Sequence, residues 1–184
     1  MPVIPYVKQG APFVDTAGAS GTFNAAKANA MDAGIFEAMQ QPAVRVTHNA
    51  TQSITSGVAT ALAFNTERFD QAGGSASTMH DTVTNNSRLT AIYAGVYQIS
   101  GTIQYAASPQ ITNLSIRVNG TTTIARHGYV AGTALDVRYQ HISTLYALAV
   151  NDYVELIAAQ TSGGAVNVSS VGNESPEFMM VRVG

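Results

Sequence analysis

Residues 95–105 read Gly-Val-Tyr-Gln-Ile-Ser-Gly-Thr-Ile-Gln-Tyr. Tyr97, Ile99, Gly101, Ile103 and Tyr105 make one row at a spacing of two, and Gln98, Ser100, Thr102 and Gln104 make the other. That period belongs to a pleated strand with one face against a core and one toward water; a helix would scatter the same residues around its circumference. Gly101 in the apolar row leaves room for a bulky neighbour or a close backbone. The stretch predicts a strand of an antiparallel sheet, and the segments around it repeat the same grammar.

From Ala43 to the C-terminus the period stays at two. Val44 and Val46 share a side, and Val58, Thr60, Leu62 and Phe64 predict the next strand. A polar loop is expected through Gly73-Gly74 and His80-Asp81. Leu114, Ile116 and Val118 then alternate up to Asn119-Gly120, a strong two-residue hairpin signal, and residues 121–125 return. Val137, Tyr139, His141, Ser143 and Leu145 continue the apolar pattern, which predicts a buried His141. Asn151-Asp152 and Ser162-Gly163-Gly164 mark further turns, and residues 178–183 close the chain as a strand. Many short strands between Gly, Asn and Asp turns imply a sandwich or jelly roll.

The first 42 residues are built differently. Pro2, Pro5 and Pro12 deny residues 1–19 both helix and central-strand pairing, yet Val3, Ile4, Tyr6, Phe13 and Val14 are too apolar for a purely solvated tail. Two readings stand: a flexible terminus, or an arm ordered by a groove on another subunit. The lack of a disorder-type composition favours the arm. Residues 23–41 predict one helix, capped by Asn24 or Thr22 and stopped by Pro42. Phe23, Ala26, Ala30, Ile35, Ala38 and Met39 form its apolar side. A lone helix of this length is marginal in water, so a packing partner is expected. The candidate attachment residues of arm and helix are Val3, Ile4, Tyr6, Phe13, Phe23, Ile35 and Met39.

Composition narrows the function. The 184 residues are 46% apolar, enough for a core, but only 11% are charged against roughly 25% in an average soluble protein. A net charge of −2 argues against a nucleic-acid partner, and no charge run suggests a membrane surface. With no cysteine there is no disulfide or thiolate metal site. The proline-interrupted start reads as neither signal peptide nor membrane span, so the sequons at Asn113 and Asn119 are expected to be idle and synthesis to be cytoplasmic. No nucleophile elbow, Walker loop, dinucleotide fingerprint or zincin helix occurs. His48, His80, His127 and His141 are isolated in sequence, and His80-Asp81 reads as a solvated loop. Asp81, Asp136, Asp152, Glu174 and Glu177 are scattered along the chain and form no EF-hand-like calcium cluster. Glu67 and Asp70 form a carboxylate pair that a turn-rich loop would leave solvated. No cofactor, no metal and no catalysis are expected.

Residues 43–184 resemble the C1q/tumour-necrosis-factor-like jelly roll. Gly95-Val96-Tyr97 with Ile99-Ser100 matches a family strand motif. Leu148, Asn151-Asp152-Tyr153-Val154 and Leu156 match its L-x-x-G-D-x-V-x-L turn and strand, with Asn151 in the place of the usual glycine. Phe178 fits the aromatic that opens the last strand, and Ala63-Phe64-Asn65 with Phe69 fits an early strand and the loop after it. The segment GTFNAAKANAMDAGIFEA is similar to a short helix near the start of bacteriophage structural proteins. Its combination with THNATQSITSGVATALAFNTERFD and SPEFMMVRVG is similar to phage proteins carrying C1q-like domains.

The resemblance implies a mainly β protein: a ten-stranded jelly roll in residues 43–184, preceded by an extended arm and one short α-helix in residues 1–42. It also implies a homotrimer without catalysis, with Tyr97, Ile99, Tyr105, Tyr153 and Phe178 as jelly-roll motif and candidate trimer-contact residues. The leading expectation is a virion protein of a bacteriophage, synthesised in the host cytoplasm. Arm and helix would attach to capsid or tail proteins, and the knob would decorate the head. The alternative is a minor tail or baseplate adhesin for a host surface glycan. A cellular bacterial C1q-like binding module is a third reading. The absence of a long shaft and of fibrous repeats favours decoration.

Overall fold

In a computed structural model of the chain, the described residues are 25–39, 41–72, 78–107, 111–130 and 139–184. The chain divides into two compact units, Met1–Gln41 and Pro42–Gly184.

In the first unit the helix α1 (Ala25–Met39) lies within the predicted segment. Alanines carry it, because they lose no side-chain entropy on helix formation. Its buried position is Ala28, whereas Ala26, Ala30, Met31 and Ile35 are exposed. On the single chain the expected apolar side is thus uncovered at Ala26, Ala30 and Ile35. Val3, Ile4, Tyr6, Phe13 and Phe23 lie outside the described residues, and so does the side chain of Met39.

The second unit holds twelve strands among its described residues: β1 (Ala43–Thr47), β2 (Gln52–Ile54), β3 (Thr60–Ala61), β4 (Thr66–Gln71), β5 (Arg88–Thr90), β6 (Gly95–Gln104), β7 (Ile111–Val118), β8 (Thr122–Val130), β9 (Tyr139–Leu148), β10 (Tyr153–Gln160), β11 (Val166–Val168) and β12 (Glu177–Arg182). One sheet has the order β4-β1-β12-β6-β9. The second has the order β3-β10-β7-β8, with β5 also paired to β10, and β11 with β2 forms a separate ribbon. Every pairing is antiparallel. Ten strands in two five-stranded sheets match the expected jelly roll.

The predicted rows become the core. Val44, Val46, Tyr97, Ile99, Ile103, Tyr105, Phe178 and Met180 from the first sheet meet Leu62, Leu89, Leu114, Ile116, Val154 and Leu156 from the second side. Phe64 stacks on Phe178 with centroids 5.7 Å apart. A Cβ at Gly101 would stand 2.7 Å from Leu156 Cδ2, so the bulky neighbour expected at this glycine is Leu156. Asn119 and Gly120 have φ of 50° and 72°, the two positive values that a type I′ hairpin turn requires. Asn151, at φ 70°, occupies a left-handed position, which explains why asparagine can replace a glycine there.

Four local expectations are corrected. Only Thr60–Ala61 of the segment 58–64 pairs as a strand, although Leu62 and Phe64 are buried as foreseen. The expected polar loop begins with strand β4, which pairs with β1. The phase of β9 is the reverse of the expected one. Gln140, Ile142 and Leu148 are buried, and Tyr139, His141, Ser143 and Leu145 are exposed. Gln140 tolerates the interior because its amide donates to Thr112 Oγ1 on β7. His80 is the fourth, and it bears on the sites described next.

Candidate functional site

Two surfaces of the second unit stand out, and they lie on different sheets. The first is the outward face of the sheet β4-β1-β12-β6-β9. Register aligns Gln71, Ala43, Val181, Gln98 and Leu145 in one row across the five strands. Phe69, Arg45, Met179, Ser100 and Ser143 form the next. Thr47, Glu177, Thr102 and His141 form a third, with Gln104 opposite Tyr139 and Val96 opposite Ala147 at the ends. Leu145 is 62% exposed, Tyr139 52%, Phe69 41% and Val96 39%. The only Arg, Lys, Asp or Glu residues in these rows are Arg45 and Glu177, which pair with each other. The second sheet is different: Arg117 and Arg126 lie on it beside Arg88 and Glu155.

The predicted contact residues fall elsewhere. Tyr97, Ile99, Tyr105 and Phe178 have no accessible surface on the single chain. The Tyr97 hydroxyl donates to Tyr93 O and the Tyr105 hydroxyl to Ala159 O, so both are satisfied inside. Burial pushes both phenols up from their ordinary pKa. These four serve the jelly-roll motif. Tyr153 lies on the second sheet, with the Arg88 guanidinium 4.1 Å above its ring. Leu145 and Tyr139 were visible in the sequence as apolar, but the period-two pattern assigned them to the core.

The second surface is a cavity of about 330 Å3 formed by residues 78–85, β5 and the turn before β10. Its floor is Met79 and His80, which are buried, contrary to the solvated loop expected for His80. The cause is the inward side of β4. Asp70 Oδ2 accepts from Met79 N at 2.8 Å and His80 N at 3.0 Å. His80 Nδ1 lies 3.0 Å from Glu67 Oε1, and Nε2 lies 3.2 Å from the Asn86 carbonyl, to which it donates. Glu67 and Asp70, expected to be solvated, thus pin the connection that closes the sandwich edge. Burial pushes the Asp70 carboxyl up, against the two backbone N–H groups that pull it down. At the rim, the backbone N–H groups of Thr84 and Val83 hold the Asp81 carboxyl below its usual range. The Asn119 amide and Ala149 N–H do the same for Asp152.

His141 is exposed and its Nδ1 lies 3.0 Å from Thr102 Oγ1, so the expectation of a buried histidine is corrected. Among the described residues no group of three His, Cys, Asp or Glu is placed to hold a metal ion. No helix among them is long and apolar enough to cross a membrane.

This architecture, two antiparallel sheets with the order β4-β1-β12-β6-β9 facing β3-β10-β7-β8, is that of a C1q/TNF-like jelly roll. Solved structures agree. Murine APRIL at pH 5.0 superposes with a TM-score of 0.57 at 9% identity, over 78% of this chain and 99% of that one. Eiger TNF from S. frugiperda gives 0.54 at 8% identity, over 78% and 92%. The globular domain of zebrafish complement 1qA gives 0.50 at 14% identity, over 77% and 93%. No family model and no curated protein matches the chain. At these identities the likeness is one of fold.

Proposed function

We propose that the chain is a non-enzymatic structural protein of a bacteriophage virion. It acts as a homotrimer, anchored through residues 1–42 to the capsid surface, with the jelly roll facing outward. The observation that carries the trimer is the outward face of the first sheet, where Leu145 is exposed near Val96, Tyr139 further along β9 and Phe69 on the opposite edge strand, with half-buried Met179 and Val181 between the edges and few charges. Exposed apolar area of this kind is a feature of interfaces, and closed symmetry lets one face serve every copy. Homotrimeric assembly is also what the C1q/TNF-like resemblance implies. The virion reading rests on the sequence resemblance of the N-terminal segment, and the exposure of Ile35 leaves the helix a surface for docking.

The test has two parts. The full chain should sediment as a trimer, and removal of residues 1–19 should leave that trimer intact while abolishing its incorporation into particles. Normal decoration by the truncated protein would refute the anchoring, and a monomer at every concentration would refute the assembly.

The second reading, a minor tail or baseplate adhesin for a host surface glycan, is favoured by one observation: the cavity beside the second sheet, lined by threonines and asparagines together with Met79 and Tyr153. Saturable binding of labelled protein to host cells, competed by sugar, would select it over decoration.

A further inference from the structure

We infer that the cavity between residues 78–85 and the turn at 149–153 binds one neutral sugar ring of a surface polysaccharide. This inference rests on the adhesin reading for its biological use but not for its chemistry. At about 330 Å3 the cavity falls at the small end of ligand pockets, which suits a single ring rather than an extended chain. Its lining mixes the apolar surface of Met79 and Tyr153 with the hydroxyls and amides of Thr84, Asn85, Thr90 and Asn151. Such a lining offers donors and acceptors together, which is what a polyhydroxylated ring needs and an apolar ligand does not.

Charge points the same way. Arg88 is the cation of the cavity and Asp81 the anion. Glu155 lies 3.6 Å from Arg88 Nε and further balances it. No excess charge is left to select an anionic ligand. The Arg88 guanidinium carbon stands 4.1 Å from the centroid of the Tyr153 ring, and its Nε is buried on the side of Glu155. The guanidinium is thus held between the Tyr153 ring and the Glu155 carboxylate.

The site is also built in advance. Asp70 fixes the backbone of Met79 and His80, Thr90 N donates to Met79 O at 2.7 Å, and Asn151 N donates to Ala91 O at 2.8 Å. Both walls therefore hang on the core, which lowers the ordering cost of binding. Because the cavity belongs to the second sheet, covering the outward face of the first leaves it open.

The experiment is saturation-transfer NMR on the full-length protein with methyl hexosides and methyl N-acetylhexosaminides as neutral probes, and sialic and uronic acids as charged ones. At least one neutral probe should bind saturably in the millimolar range. Thr90→Val removes a hydroxyl at constant shape. Asn151→Gly removes an amide, and glycine accepts the φ of 70° without strain. Each should weaken binding about tenfold with an unchanged melting temperature. Binding of the acidic probes alone, no binding of any neutral probe, or neutral binding that both variants leave intact would overturn the inference. Host-cell adhesion that survives both variants would overturn the cavity's role in adhesion while leaving the adhesin reading in place. Sugar binding by a protein that does not adhere to cells would support the cavity and remove the adhesin.

Discussion

Replacing Leu145 with lysine tests the trimer face directly. In the single chain Leu145 is 62% exposed, on the row shared with Gln98 and Val181. Complete burial of a leucine is worth about 1.5–3 kcal/mol, so covering the exposed part contributes about 1–2 kcal/mol per subunit. Three copies raise this to about 3–6 kcal/mol per trimer, or about two to four decades in the association constant. Lysine loses that term and adds the cost of desolvating an ammonium group. Because a trimer's midpoint concentration varies as the inverse square root of its association constant, sedimentation velocity over a concentration series should show the variant trimer dissociating at concentrations at least about tenfold higher than the parent. Circular dichroism of the two should coincide, because the side chain contributes nothing to the core. Val83→Lys, at an 84% exposed site outside the sheets, is the control and should change neither. An unchanged trimer in Leu145→Lys would refute the assignment of this face.

Gly101→Ala should cost about 1–3 kcal/mol of stability through the contact with Leu156 Cδ2, measurable by urea unfolding, and pairing it with Leu156→Val should recover part of the loss. His80→Ala should cost about 2–4 kcal/mol because it empties a buried site and removes the bonds to Glu67 Oε1 and the Asn86 carbonyl; a solvated loop histidine would cost under about 0.5 kcal/mol. Asn119→Ala should lower the melting temperature at pH 7, since alanine resists a φ of 50° and loses the bonds to Asp152 and Tyr153. The same variant should flatten the acid limb of the stability profile. Asp152 has a folded pKa below its unfolded value, so its contribution is complete above about pH 4 and is lost as pH falls through the folded pKa; without Asn119 that depression shrinks.

The sequence carried most of the interior and little of either surface. Strands β1, β6, β7, β10 and β12 were legible because the side chains that alternate along them meet the core on one side only. Strand β4 was hidden because its inward residues include Glu67 and Asp70, which no hydrophobic pattern would place under a closing loop. His80 was misjudged for the same reason: the carboxylate that shelters it comes from a strand 13 residues away in sequence. The cavity had no sequence signal, since Arg88 and Tyr153 meet only through the pairing of β5 with β10.

By itself the sequence determined that the chain is a β sandwich and where it turns, because period-two alternation and the left-handed positions at Asn119, Gly120 and Asn151 are local properties of the backbone. The tertiary structure alone decided which side of β9 faces inward. Alternation creates two faces but does not rank them when both carry apolar residues. The choice belongs to the strands across the sandwich, where Thr112 receives the Gln140 amide and Leu145 and Tyr139 are left on the surface.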